Sequence, residues 1–516
     1  MIHGEALWPG VVVSLVVAVY VTRWLPPYVS GMAVNSDAYA HFLIIRGIRE
    51  NDHRIPEDPP RSYLPGSFSY PCLLHVALSW LPVSWYERVN HYFSPVMDVV
   101  FALLIVTLYP LGVLSIEQTA LATFFFLATP QFVRPGLPHT IGLSGRKPGL
   151  LFASASTLSF TMWLLSDGIG WLVLSVLLIA LTALTVKFSV QALLGIYLGF
   201  GIADSPIALA TFVGGLLLAT LVSLGYYVDV LVNHVRFSYD YAIRKQYNFL
   251  YDGLKSVDTV RSLLAAESVR DVLSAVYHSL FLRSLIDNPV APLVLVGYAV
   301  TWWHPNVTVV LGVFDIWFLA GTVCFCVTSL YHVRFLGHAS RYLEHNLLAG
   351  VVILNRFVAQ LGARYRLLVL MTGLGGLMTV FGYVYVHDMG ENVQKESDLQ
   401  RVVTELADLP QGRVLVQPRF RGVEIAWKTP HCVNDYTGNA MDDSGIIDAW
   451  DRWFPEKEGW VTTDVEWLES EYDPDWVVFD TTFDETFGLA PNSDATPLLE
   501  TDSFLLYPFE AIDRRR

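Results

Sequence analysis

An acid and a histidine stand one helical turn apart in NSDAYAHFLIIRGIREND, which follows the first apolar stretch of the chain. Residues four apart lie on one face of a helix, so this spacing places Asp37 beside His41. A carboxylate next to a membrane must be solvated or paired. Asp37 is therefore either a cap at the positive end of a juxtamembrane helix or a general base that works at the membrane surface.

A third interpretation is a metal site, in which Asp37, His41 and His75 ligate a divalent metal. Nothing else in the sequence indicates a cofactor, because it contains no Walker loop, GxGxxG or HExxH pattern. We predict no obligatory cofactor, and a divalent metal remains the alternative.

The elements that must position these residues are apolar. Of the 516 residues, 53% are hydrophobic and 16% are charged, which indicates a polytopic α-helical membrane protein. We predict about eleven transmembrane helices, at 8–25, 92–114, 118–133, 149–166, 168–186, 189–203, 207–232, 289–303, 307–330, 345–361 and 366–386.

An odd number of spans puts the two long loops, 26–91 and 233–288, on one side of the membrane together with the C-terminus. The apolar stretch YPCLLHVALSWLP at 70–82 is too short to span, so we expect it in the interface. In the second loop, RSLLAAESVRDVLSAVYHSLFL has apolar residues at helical spacing and predicts an amphipathic helix.

The chain divides by charge into a membrane domain, 1–386, and an acidic soluble domain, 387–516. The second segment holds 28 acidic and 11 basic residues, so we expect it to bind no nucleic acid. SDLQRVVTELADLP predicts a helix, and GRVLVQP, EIAWKT and DWVVFDTTF predict strands. That alternation is typical of a small α/β domain.

Several motifs together resemble the GT-C superfamily of membrane glycosyltransferases, of the protein O-mannosyltransferase and aminoarabinose-transferase type. They are an acid early in the first outer loop (Asp37), the YPCL turn that begins at Tyr70, and three further blocks. These blocks are GRKPGLLFASAS, KFSVQALLGIYLG and RFLGHASRYLEH. The resemblance extends over most of residues 1–386.

The resemblance implies a donor sugar on a polyprenyl phosphate, whose departing phosphate needs fixed positive charge. Candidates on the predicted outer side are Arg146, Lys147, Lys187 and Arg341. The first three alternatively snorkel at span ends, and Arg341 alternatively pairs with Glu344 or His345 along its own helix. The other substrate-binding candidates are His41, Tyr70, His75, Tyr342 and Glu344.

We therefore predict a multi-pass enzyme of the cytoplasmic membrane, with its active site and C-terminal domain on the extracytoplasmic side. It transfers the sugar, with inversion and with Asp37 as base, to a hydroxyl of a glycan, lipid or protein acceptor. Its partners are the donor, the acceptor and membrane lipids. The alternatives are a transporter or lipid flippase of envelope polysaccharide assembly and an inactive GT-C relative with a structural role.

Overall fold

The structure is a computed structural model. It describes residues 2–29, 36–63, 68–132, 142–244, 261–303, 311–330, 333, 336–337, 339–386, 392–417, 422–434, 465–481, 489 and 491–513.

Helices make up the described chain as far as residue 386. In order they are α1 (Ile2–Val29), α2 (Ser36–Glu50), α3 (Leu73–Ser79), α4 (Tyr86–Val106), α5 (Ile116–Leu127), α6 (Arg146–Ser166), α7 (Ile169–Thr185), α8 (Lys187–Ala203), α9 (Ile207–Val222), α10 (Tyr226–Arg244), α11 (Val269–His278), α12 (Leu280–Asp287), α13 (Val290–Trp303), α14 (Val313–Thr328), α15 (Ser340–Gln360) and α16 (Ala363–Val386).

Ten of the eleven predicted spans each overlap one of these helices, and the span predicted at 207–232 is divided between α9 and α10. By length and composition, two stretches of the described chain are able to cross a membrane, Val83–Val106 and Arg146–Ser166. A third is added if Phe281–Asp287 and Val290–Trp303, which meet at 93°, form one broken span. Several of the remaining apolar helices are shorter, with 12 to 17 residues.

The helical body is apolar on its outside as well as in its core. Phe160, Phe200 and Trp317 lie in one fully buried cluster. On the outer surface Ile169 is 69% exposed and Leu221 is 72% exposed. Helices that are hydrophobic all round belong in a large core or in lipid, and contiguous exposed apolar surface is rare on soluble proteins.

The loop segments contain shorter helices than the sequence predicts. Helix α3 has seven residues, about 10 Å of helix, far less than a bilayer requires. The amphipathic stretch of the second loop, 261–282, is broken twice. Residues 261–264 are helical and 265–268 are not. Ser279 then ends α11, and its side chain accepts a hydrogen bond from the backbone N–H of Leu282 to begin α12. The stretch is helical as predicted, but it does not form one helix.

A five-stranded sheet follows the helical body. Helix α17 (Asn392–Asp408) precedes it, α18 (Gly422–Lys428) and α19 (Val465–Tyr472) lie between strands, and the strands are β1 (Arg413–Gln417), β2 (Cys432–Val433), β3 (Trp476–Asp480), β4 (Leu499–Glu500) and β5 (Phe504–Pro508). Their spatial order is β2-β1-β3-β5-β4, with β2, β1 and β3 parallel and β5 antiparallel to both of its neighbours.

One predicted strand of this segment is a helix. All but the last residue of EIAWKT belongs to α18, where Val423 and Trp427 lie one turn apart and both pack in the cluster that contains Phe42 of α2. A six-residue apolar pattern does not separate a strand from a helix, and the packing partner in space decides between them.

Candidate active site

Three helices begin at basic residues, and their first turns lie close together. Arg146 opens α6, Lys187 opens α8, and Arg341 is the second residue of α15. The rings of Phe188 and Tyr342 pack edge to face at 4.9 Å and join α8 to α15. Because a helix N-terminus carries partial positive charge, this corner favours an anion.

Glycine brings the start of α6 against the junction of α7 and α8. A Cβ on Gly145 would lie 2.6 Å from the carbonyl oxygen of Thr185, and one on Gly149 would lie 2.0 Å from Cγ1 of Val186. Both separations are shorter than van der Waals contact. The GRKPG motif therefore carries the glycines that bring Arg146 near the start of α8.

Arg146 forms a buried ion pair with Glu344 of α15. Its Nε donates to Oε2 of Glu344 at 3.2 Å, and its Nη2 donates to Oε1. The side-chain amide of Gln131 donates to the same carboxylate at 3.2 Å, and its oxygen accepts from Asn288. Glu344 therefore pairs with Arg146 and not with Arg341, contrary to one of the alternatives for Arg341.

Lys147 forms a second buried ion pair, with Asp98 of α4, at 2.6 Å. Close by, Arg23 of α1 donates to the carbonyl oxygen of Phe126 at 2.6 Å. The side chains of Arg146 and Lys147 are only 11% and 9% exposed. Both cations therefore point inward and do not snorkel, and they join α4, α6 and α15.

Arg341 and Lys187 contact aromatic rings. The guanidinium carbon of Arg341 lies 5.2 Å from the centroid of the Phe188 ring. Nζ of Lys187 lies 5.9 Å from the centroid of the Tyr70 ring. Within the described residues no carboxylate forms an ion pair with Arg341, and its buried Nε has no hydrogen-bond partner there. A stacked guanidinium retains its planar donors for an anion.

His41 and His75 form a buried pair next to Tyr70. Nδ1 of His41 and Nε2 of His75 are 2.8 Å apart, and the Tyr70 ring is edge-on to His75 at 5.5 Å. Burial lowers the pKa of His41 to about 4. Burial is the main cause that holds the pKa of His75 well below its ordinary value, and the repulsion that two protonated rings would have is the second cause. Both imidazoles are therefore neutral at physiological pH, and an N–H of one ring donates a hydrogen bond to the facing nitrogen of the other.

Tyr226 holds the backbone of this loop in place. Its hydroxyl donates to the carbonyl oxygen of Tyr70 at 2.8 Å and lies 3.0 Å from the Tyr70 N–H, from which it accepts. Cys72 is buried in a small cluster with Ile44 and Ile48 of α2, and burial raises the pKa of its thiol. The YPCL turn is thus attached to α2 and to α10.

Asp37 lies in the first turn of α2, one turn before His41. Its side chain lies outside the described part of the chain. The backbone places it at the helix start that the sequence predicts, which fits both a cap and a base.

The comparisons with known proteins decide the fold. No protein-family model matches the chain, and no curated protein matches its sequence. ArnT from Cupriavidus metallidurans, in a crystal structure with undecaprenyl phosphate bound, superposes with a TM-score of 0.53. That match covers 98% of this chain and 97% of ArnT at 11% identity. The chain has the fold of ArnT.

The predicted resemblance to the aminoarabinose-transferase type is thereby confirmed at the level of the fold. ArnT in its apo state superposes at a TM-score of 0.41, with 11% identity and 98% of each chain covered. A score below 0.5 does not establish a shared fold, so the conclusion depends on the complex with undecaprenyl phosphate.

Sequence reasoning did not identify several polar residues of this region. Asp98 pairs with Lys147, and Gln131 and Asn288 extend the hydrogen bonds around Glu344. Tyr226 holds the backbone of Tyr70. The signal for Asp98 was present, because a carboxylate in the apolar run SPVMDVVFALL needs a partner. Gln131 and Asn288 lie at segment ends, where polar residues are ordinary.

Among the described residues no group of three His, Cys, Asp or Glu side chains is arranged to hold a metal ion. The facing nitrogens of His41 and His75 hydrogen-bond each other, so they do not present a shared metal position. A metal at Asp37 would have to use the remaining nitrogen of one imidazole.

Proposed function

We propose that this protein is a GT-C-type membrane glycosyltransferase. It takes a sugar from a polyprenyl phosphate and transfers it to a hydroxyl of an extracytoplasmic glycan, lipid or protein. The observation that carries the proposal is the ArnT fold over almost the whole chain, since that ArnT structure has undecaprenyl phosphate bound.

The phosphate of the donor binds where α8 and α15 begin. Arg341 provides a planar fork for two phosphate oxygens, and Lys187 adds a second charge. Both stack on aromatic rings, which limits the entropy that is lost when an anion binds. Arg146 and Lys147 act indirectly, because Glu344 and Asp98 already engage their charges.

Asp37 is the general base. The acceptor oxygen bonds to the anomeric carbon while the bond from that carbon to the phosphate oxygen breaks, which inverts the configuration. The hydroxyl proton passes to the Asp37 carboxylate, and the polyprenyl phosphate departs with the electron pair. His41, one turn along α2, stays neutral and so places no second charge beside the base.

The proposed orientation combines an odd number of spans with a cytoplasmic N-terminus. Eleven helices, α1, α4 to α9 and α13 to α16, cross the membrane, and the N-terminus is cytoplasmic. The starts of α6, α8 and α15, helix α2 and the segment 387–516 then share the extracytoplasmic side. Residues 1–386 form the membrane domain and residues 387–516 the outer domain, which selects the acceptor.

Two measurements test this function. First, nanodisc-embedded protein is titrated with undecaprenyl phosphate, and we expect saturable binding that Arg341→Ala weakens. Second, mass spectrometry compares the lipids and glycans of three kinds of cell. These cells contain the parent protein, the Asp37→Asn variant or neither. We expect one product sugar with the parent only and a lipid-linked precursor that accumulates with Asp37→Asn. If the protein binds undecaprenyl phosphate and moves it across vesicle membranes but transfers no sugar, a flippase is favoured instead.

A further inference from the structure

We infer that the C-terminal sheet holds helix α2 in place through Trp427 of α18, which makes Trp427 a positioning residue for Asp37. The catalytic part of this inference rests on the proposed function. The positioning part concerns only α2, and it can be measured without any substrate.

Trp427 packs into an aromatic group that includes α2. Its ring lies 5.2 Å from Phe42 of α2 and 6.1 Å from Tyr86 at the start of α4, between ring centroids. Its indole N–H donates to Oε1 of Glu87 at 3.2 Å. Phe42 and Tyr86 are almost completely buried. Trp427 thus bridges the outer sheet, α2 and the first turn of α4.

Two other residues of α2 contact the same part of the sheet. Leu43 packs in one cluster with Leu399 and Val402 of α17. Nζ of Lys428, next to Trp427, lies 5.3 Å from the centroid of the Tyr39 ring. Residues 39, 42 and 43 form one helix face at spacings of three and four, and this whole face meets α17 and α18.

Position 37 lies on the opposite face of α2. At 100° per residue, positions 37, 41, 44 and 48 fall within one narrow sector, about 180° from the centre of 39, 42 and 43. Residues 41, 44 and 48 pack against the start of α3, where Cys72 and His75 lie. Trp427 is therefore on the wrong side of α2 to touch substrate, and it acts through the helix.

The chain just after α2 also joins the sheet. The N–H of Tyr63 donates to the carbonyl oxygen of Val433 at 3.1 Å, and the N–H of Val433 donates to that of Arg61 at 3.0 Å. The Arg61 guanidinium donates to the carbonyl oxygen of Pro430. Residues 61–63 thus pair with the edge strand β2, so the sheet contacts α2 along its side and anchors the chain that follows it.

The consequence for the reaction is geometric. A base displaced by about 1 Å loses as much as 10²-fold in rate. Arg341 and Lys187 belong to α15 and α8, and no described contact joins either to Trp427. We therefore expect Trp427→Ala to lower product formation about 10- to 100-fold while undecaprenyl phosphate binds as in the parent.

Hydrogen exchange of backbone amides tests the inference on the full-length protein in nanodiscs. Trp427→Ala should speed exchange at residues 38–48 of α2 and leave α14 unchanged, and Trp427→Phe, which keeps a ring against Phe42, should restore protection. The matched control is Trp467→Ala, which removes a ring that packs on Tyr472 in the cluster on the other face of the sheet. If Trp427→Ala does not fold, Trp427→Leu is used.

If amides of α2 exchange in Trp427→Ala at the same rate as in the parent protein, the inference is overturned. Equal acceleration with Trp467→Ala would overturn it too, because general loosening of the sheet would then explain the result. If the parent makes no transferred product but Trp427→Ala still loosens α2 selectively, the proposed function fails while the positioning of α2 stands.

Discussion

Arg341 differs from Arg146 and Lys147 in that no described carboxylate neutralises its charge. A charge-assisted hydrogen bond contributes about 1.5–3 kcal/mol, which is roughly 10- to 100-fold in affinity. We expect Arg341→Ala to weaken the binding of undecaprenyl phosphate by that factor and Arg341→Lys to recover part of the affinity. Arg46→Ala, which removes an exposed partner of Glu50, should leave binding unchanged. Parental affinity in Arg341→Ala would move the phosphate to Lys187.

Asp37 is tested by a substitution that separates base from cap. Asparagine caps a helix about as well as aspartate but does not accept the proton. If Asp37 is the base, Asp37→Asn lowers sugar transfer about 10²–10⁴-fold with unchanged binding of undecaprenyl phosphate. Full transfer in this variant would assign Asp37 to the cap and direct the search to Asp52, Glu57 and Asp58.

The buried histidine pair predicts how stability depends on pH. His41 has a pKa of about 4 in the fold and about 6.5 when unfolded, so the unfolded chain binds more protons between these values. Its contribution is complete above pH 6.5 and is lost as pH falls, by about 3 kcal/mol at pH 4. We expect the melting temperature in detergent to fall over this range.

A double variant, His41→Asn with His75→Gln, should flatten this dependence, because it removes both buried imidazoles. His91→Gln, at an exposed position, is the control and should keep the parental slope. A slope equal to that of the parent in the double variant would show that other groups cause the loss of stability in acid.

At the scale of elements, α4 and α6 are joined by the pair of Asp98 and Lys147. Removing one partner of a buried pair leaves an uncompensated charge, which costs about 3–5 kcal/mol. We therefore expect Asp98→Asn to lower the melting temperature markedly and the double variant Asp98→Asn with Lys147→Met to recover most of the loss. Glu50→Gln, which breaks the exposed pair with Arg46, should cost less than about 1 kcal/mol.

At the scale of the whole molecule, the prediction is the orientation. Because α3 has only seven residues, we expect that the chain does not cross the membrane between α1 and α4. Reporter fusions after Glu87 and after Asp398 should both report the extracytoplasmic side. Opposite signals would contradict the odd number of spans and would place the starts of α6, α8 and α15 on the cytoplasmic side.

The sequence by itself determined the segments that are helices in the membrane part. Long apolar runs have few alternatives, because an exposed backbone in lipid must hydrogen-bond within its own helix. It likewise determined that Asp37 begins a helix and that His41 follows one turn later, since both depend on local spacing. The basic residues at the starts of α6, α8 and α15 were visible for the same reason.

Only the tertiary structure decided which charges pair. Glu344 lies three residues from Arg341 but 198 residues from Arg146 in sequence, and it pairs with Arg146. A pair within one helix contributes only tenths of a kcal/mol, whereas a buried carboxylate needs full compensation. The tertiary structure also decided that α18 is a helix and not a strand. Its apolar pattern is too short to distinguish the two, and in the helix Trp427 packs against Phe42 and Tyr86.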